Sequence, residues 1–203
     1  MMSEEKSALT QTERTFGRRQ IQAGHALMML ISRAIPHPIG EVWAAVTDPD
    51  RLEQYVGRPE GDLRRGGTYE LPDGTRGDIL RCDPPRMLTL SVQRPGGHSA
   101  ELELHLTAED SRTRIDLKYA SVRKGFVLID AASGEWAAGP GWEFFLDSLS
   151  DFLNGENPEE PLGIIGWRTF EGEQLGLYQA RNAEWEKVKA DWDHEHEATP
   201  GPS

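Results

Sequence analysis

The sequence predicts an α+β fold: a curved antiparallel β-sheet wrapped around a long C-terminal α-helix, with two short helices after the first strand. Three observations carry that prediction. Between Gly139 and Gly155, Trp142, Phe145, Leu146, Leu149, Phe152 and Leu153 recur at spacings of three and four. That spacing puts them on one face of a helix, with Glu143, Asp147 and Asp151 facing away. Leu102, Leu104 and Leu106 alternate with Glu101, Glu103 and His105, and Ile115, Leu117 and Tyr119 alternate with Arg114, Asp116 and Lys118, as in strands with one buried face. Turn residues punctuate the stretch before the helix at short intervals, as in a meander. The helix face is too broad and aromatic to stay in water, and the one-sided sheet needs a cover, so each supplies the other's partner.

Taken in order, residues 1–24 are polar and aperiodic, with Arg14, Arg18 and Arg19 grouped near their end, and read as a mobile tail or a strand extension. Ala26 to Ile35 reads as a strand with little exposed surface, stopped by Pro36-His37-Pro38. Ile39, Val42, Trp43 and Val46 fall at helical spacing, and Thr47-Asp48-Pro49 ends that helix and caps a second short one carrying Leu52 and Tyr55. Strand candidates follow at 62–64, 68–71, 75–82, 87–93, 101–107 and 113–119, separated by Gly66-Gly67, Pro72-Asp73-Gly74, Asp83-Pro84-Pro85, Pro95-Gly96-Gly97 and Glu109-Asp110. The connection between Ser121 and Ala138 contains Phe126-Val127-Leu128-Ile129, an added strand or a flap. In the long helix, Pro140 suits the first turn and Asn154-Gly155 suits a left-handed cap.

The domain expectation is a flexible N-terminal tail over 1–24, a folded domain over 25–155, and an acidic extension over 156–203. The extension holds eleven acidic residues against four basic ones, a large share of the net charge of −12. Within it, Leu175, Tyr178, Trp185, Val188 and Trp192 form a stripe on a helix predicted from about Glu171 to Glu195. That stripe either packs back on the domain or makes a homodimer or partner contact. The acidic balance argues against nucleic acid, whose binding draws on clustered Lys and Arg. The start lacks a signal-peptide layout and the run Ala26 to Ile31 is too short to span a bilayer, so a cytoplasmic protein with no membrane span is expected. A single cysteine, Cys82, forms no internal disulfide and fits a reducing compartment.

Four motifs carry a resemblance. Ile35 to Pro49, Asp62-Leu63-Arg64-Arg65-Gly66-Gly67, Cys82-Asp83-Pro84-Pro85-Arg86-Met87-Leu88, and Gly141-Trp142 with the helix that follows fall in the order seen in one family. The chain resembles the bacterial homologues of the activator of the 90-kDa heat-shock-protein ATPase. These are members of the START-like, or SRPBCC, superfamily, which also contains polyketide cyclases and the birch-pollen allergen. The resemblance covers residues 25 to 155 and implies the helix-grip arrangement already read from the pattern. Where the family often has a Trp pair, this chain has Gln54-Tyr55-Val56. The segment before His25 is too short to supply the separate N-terminal domain of the eukaryotic co-chaperone.

A sheet gripping a helix leaves a cavity wherever side chains do not fill the space, and such cavities take mostly apolar ligands. The candidate lining is Trp43, Tyr55, Tyr69, Leu90, Leu104, Tyr119, Trp142, Phe145 and Leu149, with a closed core as the alternative for each. No Gly-rich phosphate loop, Cys-pair metal pattern or nucleophile-elbow Ser occurs, and the sequence points to no catalytic residue, metal ligand or cofactor. Asp193-His194-Glu195-His196-Glu197 has metal-ligating residue types but no rigid frame. The leading expectation is a module binding a small hydrophobic molecule. A cyclase- or hydratase-type enzyme acting in the same cavity and a chaperone- or regulator-interacting protein are the alternatives.

Overall fold

Strands of alternating parity close into a single antiparallel sheet in the computed structural model, which describes residues 11–94, 99–122, 138–156 and 172–197. The strands are β1 (Glu13–Ile21), β2 (Gly24–Ile35), β3 (Glu60–Gly61), β4 (Thr68–Glu70), β5 (Arg76–Asp83), β6 (Met87–Val92), β7 (Ala100–Glu109) and β8 (Arg112–Ser121). Their spatial order is β1-β2-β8-β7-β6-β5-β4-β3. The helices are α1 (Ile39–Thr47), α2 (Pro49–Leu52), α3 (Ala138–Leu153) and α4 (Gly172–Glu197).

Register explains the one-sided core. Leu104 stands opposite Leu117 and Leu88, Leu102 opposite Tyr119 and Leu90, and Ile31 opposite Leu117, so the apolar parities of four strands meet on one face. Onto that face α3 lays Trp142, Phe145, Leu146 and Leu149, all buried. Each such side chain contributes about 1.5–3 kcal/mol by leaving water. The helix stops as its sequence dictates. Gly155 takes φ +82, Gly155 N–H donates to Phe152 O and Glu156 N–H to Asp151 O, closing the last carbonyls. Asp48 performs the predicted capping, its side chain accepting from Asp50 N–H at 2.9 Å ahead of Pro49.

Two open readings are decided and two expectations change. Residues 13–21 are a full edge strand, so of the two readings of the N-terminal segment the strand extension holds. Arg14 and Arg19 reach across to acids on other elements, and Phe16 is buried. The strand expected at 62–64 is displaced to β3, because Gly61 at φ +124 turns the chain there and Gly67 closes against Asp62. Glu143, placed on the water face of α3, is fully buried, and Asp147 is three-quarters buried. They face β1, β2 and α4 rather than solvent. The stripe on α4 packs inward: Tyr178 and Trp185 are buried, and Val188 and Trp192 lie half-buried against the core. Trp185 meets Phe16 edge-on at 5.4 Å, so β1 and α4 share the core of the 25–155 region. The Phe126–Ile129 segment lies outside the described residues.

Candidate functional site

Between the inner face of the sheet and α3 lies an apolar cavity of about 110 Å³. The sheet supplies Ile79, Cys82, Leu88, Leu90, Leu102 and Leu104, α3 supplies Trp142 and Phe145, and the end of α1 with α2 supplies Val46, Thr47 and Leu52. The segment from Pro59 to Leu71 forms the remaining wall through Pro59, Leu63, Tyr69 and Leu71. Leu63 is 38% exposed, which marks where the cavity meets solvent. Its volume is of the same order as the roughly 150 Å³ apolar cavities that hold benzene or xenon, and well below the roughly 300 Å³ at which drug-sized pockets begin.

Of the nine residues expected to line such a space, Tyr69, Leu90, Leu104, Trp142 and Phe145 do so. The other four belong to the packed core around it. Tyr55 is fully buried, its ring stacked on Phe152 at 4.9 Å and its hydroxyl donating to Ala45 O at 2.9 Å. Leu149 is fully buried, Tyr119 packs against Trp142 at 5.5 Å, and Trp43 is a half-buried residue of α1. Sequence reading missed Cys82 and Ile79 for a specific reason. A register shift in β5 between Ile79 and Arg81 places Ile79 opposite Leu90 and Cys82 opposite Leu88, so residues three apart share one face.

The polar groups of the cavity are mostly committed. Thr47 Oγ1 donates to Trp43 O at 2.7 Å, and Tyr69 Oη donates to Ser91 O at 2.9 Å. Burial pushes the Tyr69 phenol well above its ordinary range, with Tyr119, Asp73 and Asp78 adding to the effect. Burial, and then Asp83, also push the Cys82 thiol up, which keeps it protonated and weakly nucleophilic. No charged side chain lines the cavity among the described residues. Two converging groups of suitable pKa, the minimum for acid–base catalysis, are not present there among the described residues.

A larger groove of about 730 Å³ lies at the β1–β2 turn and the adjoining ends of β3 to β7, lined by Gln22, Glu60, Glu70, Arg76, Asp78 and Glu101 among others. Its walls mix charged side chains with apolar ones such as Ile21, Tyr69 and Val92, so an apolar molecule entering it would take water from charged groups. Among the described residues no group of three or more His, Cys, Asp or Glu is arranged to hold a metal, including the acidic and histidine-rich end of α4. No helix of the described residues is long and apolar enough to cross a membrane.

The strongest electrostatic arrangement stands behind α3, away from the cavity. Glu143 accepts from Arg14 Nε and Nη2, both at 2.7 Å, and from Trp185 Nε1 at 2.8 Å, while Arg181 Nε approaches to 3.4 Å. Asp147 accepts from Arg33 Nη1 and Arg181 Nη2, both at 2.6 Å. Arg33 also donates to Thr12 Oγ1. Three guanidinium groups thus face two carboxylates and tie β1, β2 and α4 to α3. The arrangement fixes the helix whose other face forms the cavity wall.

Comparison with known proteins agrees with this architecture. A family model described as Activator of Hsp90 ATPase homolog 1-like protein matches residues 36–154. The solution structure of CalU16 from Micromonospora echinospora is 36% identical, with a TM-score of 0.74 over 89% of this chain and 96% of that one. Its crystal structure is 34% identical, with a TM-score of 0.71 over 87% and 97% of the two chains. The protein encoded by gene BPP1335 from Bordetella parapertussis shares the fold at 20% identity, with a TM-score of 0.53 over 85% of this chain and 89% of that one. Among curated proteins none matches this sequence. The match over residues 36–154, together with CalU16 relatives that align along nearly their whole length, places this chain in the Activator of Hsp90 ATPase homolog 1-like family.

Proposed function

We propose that this protein is a non-enzymatic member of the family that binds a small hydrophobic molecule, or the apolar end of a larger one, between its sheet and α3. The observation that carries this reading is a cavity walled by leucines, Trp142 and Phe145, with its hydroxyls already donating to backbone carbonyls. Such a space rewards apolar surface and offers a reacting centre no acid–base pair. A protein contact through the apolar stripe of α4 is less supported, because Tyr178 and Trp185 are spent inside the chain.

The test is a titration of the protein with toluene, followed by the methyl resonances of Leu88, Leu90, Leu102 and Leu104. Saturable shifts at these methyls, abolished in a Leu90→Phe variant that fills the space, are the expected result. Shifts confined to the groove residues near Gln22 and Glu101, or no saturable shifts, would overturn the reading.

A further inference from the structure

Leu63 is exposed, whereas every other residue that lines the cavity is buried or half-buried. It sits in the connection between β3 and β4, in no helix or strand. Neither its N–H nor its carbonyl takes part in a hydrogen bond among the described residues. Arg64 N–H closes back on Asp62 O at 2.8 Å, and anchorage to β5 comes only later, where Gly66 N–H donates to Ile79 O and Ile79 N–H to Gly67 O. Gly61 at φ +124 and Gly66 at φ +81 bracket the segment, and glycines in that region give a backbone the freedom that hinges use. A single leucine on a surface needs no explanation, but this one also forms part of an apolar cavity wall.

We propose that Leu63 is the gate of the cavity: its side chain covers the way in from solvent, and a ligand enters and leaves when it swings outward. The remaining walls are poor places to open. Ile79, Leu88, Leu90, Leu102 and Leu104 stand in paired strands, and Trp142 and Phe145 are buried in α3, so a breach there breaks ladder hydrogen bonds or core packing. Moving Leu63 costs far less, because its side chain is already part-hydrated and its backbone gives up no hydrogen bond among the described residues. The inference rests on the reading of the cavity as a ligand site and adds what controls exchange with solvent.

Toluene exchange with the full chain tests it, with association and dissociation rates taken from the methyl line shapes of Leu88 and Leu104 across a titration. A gate and a mere wall contact differ in which rates they move. Leu63→Ala is expected to raise both rates by about tenfold and to leave Kd within about threefold of the wild type, because the barrier falls while the bound state changes little. Leu63→Trp, which enlarges the cover, lowers both rates. Unchanged association in Leu63→Ala, with dissociation alone faster, would make Leu63 a wall contact and overturn the inference while leaving the cavity reading intact. Rates unchanged in both variants would overturn it in the same way. Failure of toluene to bind the wild type would overturn the cavity reading and this inference with it. Leu63 lies outside the packed core, so both variants are expected to melt near the wild type, and should one not fold, the other decides.

Discussion

Glu143 is the residue whose environment departs furthest from its sequence context. On a helical wheel it sits at the flank of the apolar face, about 100° from Trp142 and next to Asp147, and reads as solvated, yet it is fully buried among Arg14, Arg181 and Trp185. Those partners lie at least 38 residues away in sequence, so no local pattern announces them. The stoichiometry sets the expected mutational effects. Replacing Glu143 with Gln leaves three buried guanidinium groups facing one carboxylate and should cost about 3–5 kcal/mol. Arg181→Met leaves Arg14 with Glu143 and Arg33 with Asp147 and should cost less than half of that. Urea unfolding of both variants checks the difference, and equal losses would contradict it. On the sheet, burial favours the protonated form of Glu103, but Lys118 at 2.7 Å and Arg19 outweigh it and hold the carboxyl below its usual range. A carboxylate depressed by folding adds stability that is fully present above its unfolded pKa of about 4.3 and is lost as pH falls through the folded value. Glu103→Gln should therefore flatten the pH dependence of the urea midpoint below about pH 4.3. An unchanged slope would contradict the pairing. The parity of Leu102, Leu104, Ile115 and Leu117 was readable because a strand needs only its own alternation to declare a face. The burial of Glu143 depends on which distant elements arrive to cover it.

At the scale of elements, the contact between α3 and α4 decides how the C-terminal region behaves. Gly139 allows it: a Cβ built there would stand 2.7 Å from Trp185 Cδ1 and 2.8 Å from Cγ, against a ring held by its hydrogen bond to Glu143. Gly176 in α4 meets nothing within 4 Å. The same substitution should therefore have opposite signs. Gly176→Ala should stabilise by up to about 1 kcal/mol through helix propensity, and Gly139→Ala should destabilise by about 1–3 kcal/mol through overpacking. Thermal unfolding of the pair checks this. The α4 stripe was legible from the spacing of Tyr178, Trp185 and Trp192, but its partner surface was not, because packing inward and docking outward use the same residues. The displacement of Cys82 and Ile79 to one face was hidden for another reason. A bulge in β5 breaks the period of two on which strand reading depends.

For the whole molecule, the grip of sheet on helix follows from two complementary apolar faces and was legible in the sequence pattern. The extent of the folded unit was not, since β1 and α4 join the core from beyond the expected boundaries at 25 and 155. Deleting residues 156–203 should accordingly lower the melting temperature by well over 5 °C and expose the Gly139 side of α3, because Trp185 and Arg181 leave together. A truncated chain that melts with the full one would contradict that. The proposed function places the ligand in the cavity. Its lining was half legible, because inward parity identifies who faces the core but not where side chains fall short of filling it. Native mass spectrometry of gently purified protein, compared with the denatured mass, tests the proposed function most directly. The expected result is a small excess mass on each folded chain that disappears on denaturation and is absent from Leu90→Phe. Identical native and denatured masses, in a protein that also ignores toluene, would contradict it.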